Sequence, residues 1–391
     1  MQNRRLEEVF LFIRNGVSIK QDTDKGGLPI SRIETIANRT IDMNRVGFAD
    51  IYDENIYSDY LLQIGDILMS HINSTAHLGK TAVFDLDCNL IHGMNLLCLR
   101  PDPQIAFYKY VFYYFNSEYF KRQIPRITRN SVNQSSFTVS SLKELVIPLP
   151  PLETQKKIAA VLDKAQELID KRQEQLAKLD EFVQSVFLEM FGDPVLNKKG
   201  WEVDKLGEKC RIITGNTPPR QEKGNYGDYI EWIKSDNINT ENMIVTQAEE
   251  YLSQKGYKLC KYVDEPCVLM TCIAGSVKCI GKVAVANRKV AFNQQINAIV
   301  PNGNNVMYIY ILLLLSQRYI QSTINMSLKG ILSKSKLSEL SLIFPPIDLQ
   351  NQFAAIVEKT EQQKALMQQS LAEMENNFSS LMQRAFKDEL F

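Results

Sequence analysis

The chain has no net charge and few histidines. Its 45 Lys and Arg residues balance 45 Asp and Glu, and only three histidines are present. It is therefore no polyelectrolyte, and a polyanion would have to be met by local patches. Long apolar runs are missing too. The longest, YIYILLLL at 308–315, falls well short of the ~20 residues a bilayer demands, so no membrane partner is expected. The N-terminal MQNRRLEEVF lacks the apolar core of a signal peptide. Seven cysteines without an export signal read as reduced thiols of a cytoplasmic protein.

Catalytic signatures are also absent. No Gly-rich turn of the kind that cradles a nucleotide follows a strand. GKT at 79–81 lacks the glycine that a phosphate loop needs at position 74, which is Ser74. The Glu-x-Lys element of common metal-dependent nucleases occurs nowhere. NTPPR at 216–220 approaches the Asn-Pro-Pro-aromatic signature of amino-methyltransferases, but Thr217 and Arg220 break it, and it reads as a loop. Cys260, Cys267, Cys272 and Cys279 form no close zinc knuckle and read as buried thiols, so no metal is expected. His71, His77 and His92 read as surface or hydrogen-bonded histidines, with DNA contact the sharper reading for His71 and His77.

What is present is a repeat. PLPPLETQKKIAAVL at 148–162 returns as IFPPIDLQNQFAAIV at 343–357, an offset of 195 in a 391-residue chain. Over 142–164, nine positions find identical partners: Leu142, Glu144, Leu145, Pro150, Pro151, Gln155, Ala159, Ala160 and Lys164. Random pairing gives roughly one or two in such a window. The chain is thus a repeat of halves, and two or three domains suit its length.

Each Pro-Pro pair opens a long helix, with Glu153 or Asp348 in the first turn, where an acid suits the helix dipole. In the first helix Ile158, Ala165, Leu179 and Val186 alternate with Leu162, Ile169, Leu176, Val183 and Met190 at coiled-coil spacing. In the second, Phe353, Met367, Met374 and Leu381 alternate with Val357, Leu371, Phe378 and Ala385, while Thr360 and Lys364 interrupt the frame. Ile158, Leu162, Ile169, Leu176, Val183, Phe353, Val357, Leu371 and Phe378 are the expected helix-pair or partner interface. Gly192 and Pro194 stop the first helix.

The segments between are mixed: short β-branched or aromatic runs, turns, and one helical stretch each at 107–124 and 307–324. GDILMS (65–70) parallels PCVLMT (266–271), and LGKTAV (78–83) parallels IGKVAV (280–285). Two seamed helices related by a repeat most simply pair antiparallel, holding the heads at a fixed separation. The predicted fold class is α+β: two mixed α/β globular domains joined by two long antiparallel helices in a pseudo-two-fold repeat. Residues 1–150 and 194–345 form the heads; 151–193 and 346–391 form the helices.

Charge is uneven locally. Residues 266–338 contain no acid and eight bases, and residues 119–143 hold five bases and no acid. Acid-poor basic stretches suit a polyanion, and interleaved polar residues, as in TRNSVNQSSFT (128–138), can read base edges. Lys80, Arg126, Arg129, Lys282, Lys329 and Lys334 are the candidate DNA contacts. The competing reading is a coiled-coil adaptor whose heads bind protein; bases scattered over the folded surface would favour it.

The PPLETQ and PPIDLQ helix starts, the GDILMS…GK strands and the MFGDPVLNKKGWE junction (190–202) resemble the specificity subunit of type I restriction–modification enzymes, across essentially the whole chain. That resemblance implies two target-recognition domains, separated by antiparallel helices, each reading half of a bipartite DNA site. It implies a subunit that is not an enzyme by itself. Two methylation subunits would supply adenine methylation with S-adenosylmethionine. Restriction subunits would supply translocation and cleavage with ATP and Mg. This chain would bind no cofactor.

Overall fold

The computed structural model describes residues 2–130, 134–239, 242–324, 330–387 and 389–390. The chain forms two units, Met1–Gln173 with Gln369–Phe391, and Glu174–Gln368. Four helices organise them: α1 Tyr108–Asn116, α2 Leu152–Phe191, α3 Val306–Leu315 and α4 Ile347–Ala385. The units part inside α2 and α4, so each unit holds a globular part and a piece of both long helices. Among the described residues no helix is long and apolar enough to cross a membrane. The helical stretches expected at 107–124 and 307–324 are each broken at a serine. Ser117 and Ser316 end α1 and α3, and short helices Glu118–Lys121 and Gln317–Ser322 follow.

The two units share one antiparallel sheet order. In the first, Phe10–Asn15, Leu96–Pro101, Ile67–Ser70 and Thr81–Val83 lie side by side; in the second, Cys210–Thr214, Ile296–Pro301, Cys267–Thr271 and Val283–Ala286 do. The central strands read as continuous apolar runs because both faces are covered. Side chains alternate across the sheet: Ile67 and Met69 join one apolar cluster, Leu68 another. Val268 and Met270 likewise part from Leu269. The second unit adds a sheet of Tyr251–Leu252, Tyr226–Ile233, Val290–Phe292 and Tyr262–Val263.

The repeated Pro-Pro-x-x-x-Gln has a physical reason. Gln155 is fully buried at the start of α2. Its Oε1 accepts from the Phe107 backbone N–H at 2.8 Å, at the N-cap of α1, and its Nε2 donates to the Ile105 and Pro150 carbonyls, each at 2.8 Å. Gln350 repeats this on α4. Its Oε1 accepts from Asn305 N–H at 2.9 Å, at the N-cap of α3, and its Nε2 donates to the Pro345 carbonyl at 2.8 Å and Asn304 Oδ1 at 2.9 Å. Three residues into α1 and α3, Tyr110 and Tyr308 donate to the carbonyls of Pro148 and Ile343, at 2.6 and 2.8 Å. Each glutamine thus ties a long helix to the start of its head's own helix. Gln350→Ala leaves buried donors and acceptors unpaired, a cost of about 1–3 kcal/mol. Both tryptophans, Trp201 and Trp232, belong to the second unit. Gln350→Ala should therefore lower the urea midpoint read by tryptophan fluorescence, and Gln155→Ala should lower the far-UV midpoint with a smaller fluorescence shift. Unchanged midpoints in both would refute the clamp.

The expected helix interface is apolar and largely buried, and much of it is also head core. In the first unit Ile158 and Leu162 share a cluster with Tyr110, Tyr114, Met382 and Phe386, with Phe378 packed against it. In the second, Val183, Phe187 and Phe191 share a cluster with Tyr308, Phe353 and Val357. Ile169 is buried, and Leu176 and Leu371 are half-buried. Thr360 and Lys364 do not leave a gap in the frame. Both are buried. Thr360 Oγ1 donates to the Ile356 carbonyl at 2.8 Å, and Lys364 Nζ reaches Asp180 on α2 at 2.6 Å and Glu361 at 3.1 Å. In the second unit Asp180 meets Lys364 and Phe187 meets Phe353, so the two helix pieces run antiparallel there.

Candidate nucleic-acid interface

The Gly-Lys turns predicted to correspond do so in detail. In the first unit Gly79 takes φ +71°; its N–H donates to the Ser70 carbonyl at 2.8 Å, and Ser70 N–H donates to the Lys80 carbonyl at 2.9 Å. In the second, Gly281 takes φ +78°; its N–H donates to the Thr271 carbonyl at 2.9 Å, and Thr271 N–H donates to the Lys282 carbonyl at 2.9 Å. The left-handed φ explains glycine at both positions. Each turn joins a central strand, Ile67–Ser70 or Cys267–Thr271, to the edge strand Thr81–Val83 or Val283–Ala286, and so sets the following lysine at the sheet edge.

Basic residues gather beside both turns. In the first unit Arg126 and Arg129 are exposed. Arg129 lies on the strand Arg129–Asn130, in a ribbon with Ser135–Ser136 and Ile72–Asn73 beside the turn. A cleft of about 300 Å³ beneath the turn is lined by Arg39, Lys80, Lys121, Asn116, Thr128 and Asn130, among others. In the second unit Lys278 is exposed and Lys282 half-buried at the turn. Gln317 and Gln321 donate to the Ile280 carbonyl at 3.0 and 2.9 Å, fixing the helix that carries exposed Arg318 against the turn. Lys334 is exposed at the start of the helix Lys334–Ser338. Lys329 lies outside the described residues.

Ion pairing withdraws several of the other bases. Arg211, Arg220, Lys234 and Lys255 pair with Glu265, Glu250, Glu250 and Glu222. Within the acid-free stretch Arg288 is withdrawn by a bidentate bond to Glu231 at 2.7 and 2.8 Å, and Lys289 sits over Tyr257 and Tyr262. Among the described residues no ion pair engages Arg126, Arg129, Lys282 or Lys334. Bases without an ion pair also stand elsewhere on the surface, Lys20, Lys223, Lys258 and Lys261 among them, so what distinguishes the two turns is that several such bases gather beside each. Lys80 differs: its Nζ donates to the Ala37 carbonyl at 2.8 Å.

The remaining candidates resolve into structure. His71 is buried against Phe137, and burial lowers its pKa; it is no surface DNA contact. His77 is exposed. His92 is buried, bonds the Leu96 carbonyl at 2.9 Å, and is pulled down to about 4 by desolvation. Cys260, Cys267 and Cys272 fall in three separate apolar clusters, where burial raises their thiols to about 11, 12 and 12; Cys279 is half-buried. The NTPPR segment is a clamped loop. Asn216 bonds the backbone of Leu259 and Lys261 at 2.8 and 2.7 Å, and Arg220 lies over Tyr226 and Trp232. Sequence reasoning missed Arg39. Its signal is conformational, a left-handed φ of +61° at a residue other than glycine, and no residue pattern announces it.

Comparison with known proteins converges on one description. The family model for the type I restriction modification DNA specificity domain matches residues 1–181 and again 198–376. A putative type I restriction enzyme specificity subunit of Methanocaldococcus jannaschii, MjaX, is 31% identical over 374 residues, covering 90% of this chain and 84% of that one. A chain from a structure of type I R-M complex assembly and conformational transition aligns over 100% of this chain and 98% of that chain, with TM-score 0.60 and 18% identity. The S subunit of a type I restriction-modification system from M. genitalium aligns over 98% and 96%, with TM-score 0.54 and 16% identity. At those identities the structural likeness concerns the fold alone.

Proposed function

We propose, on the premise that the chain belongs to the type I restriction modification DNA specificity family, that its two units act as target-recognition domains on one double-stranded DNA site. Each unit reads one half of a bipartite sequence, and because the heads differ the halves differ. The observation that carries this reading is the doubled arrangement: a glycine-lysine turn in each unit, held by the same two backbone bonds, beside bases with no ionic partner. α2 and α4 pair antiparallel as a coiled coil and set the gap between half-sites. Two methylation subunits dock on this helical part. Outward apolar side chains support that role, notably Leu188 on α2. So do Val195 and Leu196, 49% and 64% exposed, in a turn where Asp193 Oδ1 accepts from both their N–H groups at 2.8 Å. Restriction subunits complete the assembly. S-adenosylmethionine, ATP and Mg belong to those partners, and the work is done on DNA in the cytoplasm.

With zero net charge and only two modest basic patches, the isolated chain should bind DNA weakly and gain specificity with its methylation partners, because few phosphates are neutralised. In that complex Lys282→Glu should lower affinity about tenfold and flatten the salt dependence by about one released ion, with the circular dichroism unchanged. Tight specific binding by the chain alone, or a Lys282→Glu complex that binds like the parent at every salt concentration, would count against this reading.

A further inference from the structure

The first unit spends its turn lysine on its own backbone. Lys80 Nζ donates to the Ala37 carbonyl at 2.8 Å, and Ala37 closes the short helix Ile33–Ile36. Two residues on stands Arg39, at φ +61°. A side chain with a Cβ is disfavoured there by contact with the following carbonyl, and such strain persists only where the surroundings impose it.

The surroundings do impose it. Arg39 N–H donates to the Ile36 carbonyl at 3.1 Å, and Asp42 N–H donates to the Thr35 carbonyl at 2.9 Å. Thr35 is fully buried; its hydroxyl donates to the Arg45 carbonyl at 2.7 Å and accepts from Arg32 N–H at 2.8 Å. With Lys80 pinning Ala37, the loop is fixed on both sides of Arg39.

The side chain so placed makes no hydrogen bond among the described residues, and its charge acts only through space, as the smallest of the cationic influences that hold the Glu118 carboxyl low. Arg39 is exposed, and among the described residues no hydrogen bond or ion pair engages its guanidinium. It stands where two clefts meet: the one beneath the turn, about 300 Å³, and a second of about 220 Å³ that also takes in Lys121 and Gln383. Among the residues lining the two, the one carboxylate is Glu118, and Lys121 engages it at 2.8 Å.

We propose that Arg39 is the side chain of the first unit that meets a DNA phosphate at this turn, and that Lys80 is its positioning residue. The inference rests on the DNA face assigned above. A lysine already donating to a carbonyl must release it to reach a phosphate, whereas a guanidinium with five free donors, whose charge reaches Glu118 only through space, has no hydrogen bond to give up. In the second unit, among the described residues, no backbone carbonyl takes the Lys282 ammonium as Ala37 takes that of Lys80, so there Lys282 itself keeps the contact role.

The test uses the full chain assembled with its methylation subunits, titrated with cognate DNA across a range of salt. Arg39→Ala should weaken binding about tenfold and reduce the salt slope by about one. Arg39→Gly should weaken DNA binding equally while raising thermal stability, because glycine accepts the left-handed backbone. Lys80→Met should reproduce the Arg39→Ala loss, and the double variant should lose no more than either single one, since both remove one contact. Additive losses, each with its own change in slope, would make Lys80 a direct contact and overturn the positioning role. Relaxed sequence preference at an unchanged slope would make Arg39 a base reader and overturn the phosphate assignment. Wild-type binding by Arg39→Ala overturns the inference. Arg126→Ala with Arg129→Ala then separates the two levels: if that pair weakens binding the DNA face stands, and if it does not the face is misplaced as well.

Discussion

A fragment ending at Asp193 should be a folded dimer. In the whole chain the first unit is completed from afar. Phe386 packs on Tyr110 and Tyr114, with ring centroids at 5.4 and 5.3 Å, and Phe378 packs on Tyr113 at 6.2 Å. The fragment lacks all of residues 369–391. It keeps the end of α2, whose Val183, Phe187 and Phe191 are buried in the second unit, with Phe191 at 5.0 Å from Tyr308. The offset of 195 makes Phe191 the counterpart of Phe386 and Val183 the counterpart of Phe378, and Tyr308 does for α3 what Tyr110 does for α1. The α2 end of one fragment therefore carries the side chains that the head of another is missing. Exchange in both directions gives an isologous two-fold dimer. Each buried phenylalanine contributes about 1.5–3 kcal/mol, twice over in the pair. Sedimentation at micromolar concentration should report a dimer. Phe191→Ala, at about 3–5 kcal/mol per site, should dissociate it. With methylation partners the dimer should select a palindrome of the first half-site. A folded fragment that stays monomeric would defeat the antiparallel pairing.

The parts of this architecture that local pattern carries were legible in the residues. Proline placement, heptad spacing and the glycine of a left-handed turn act within a few residues, so the helix starts at Leu152 and Ile347 and the correspondence of Gly79 with Gly281 could be read directly. What stayed hidden depends on partners distant in sequence. The spacing of Gln155 and Gln350 announced a role without its content, because two of the three groups each satisfies lie 45 to 50 residues away. Lys364 breaks a heptad frame on paper, yet Asp180 stands opposite it. Lys80 resembles Lys282 in sequence and in backbone, yet in the first head a loop more than 40 residues away in sequence brings the Ala37 carbonyl to its ammonium. The seam residues carry a similar lesson. Hydrophobic periodicity marked Phe353 and Val183 as buried but could not say that the same faces close the head cores.

Lengthening both long helices by one turn should change the gap in the DNA site and nothing else in it. The place to do so is after Arg172 and after Met367, because the units part at 173/174 and 368/369. Residues added there fall outside the interior of either unit. The clamps at Gln155 and Gln350, the Phe191 and Phe386 contacts and both Gly-Lys turns remain within their own units. Four residues added to each helix extend it by about 6 Å and turn it by about 40° beyond a full turn. The addition is a stutter in the seam, which coiled coils absorb by local unwinding, and making it in both helices keeps their antiparallel register. One base pair of B-DNA advances roughly 3.4 Å and rotates roughly 34°. The heads then meet the duplex again one or two base pairs farther apart, with the same bases in front of the same side chains. Selection of bound or methylated sequences from a random library, with parent and lengthened chains in the same complex, measures both quantities at once. The expected outcome is two unchanged half-sites and a gap longer by one or two pairs. Altered half-sites with an unaltered gap would mean that these helices do not set the spacing.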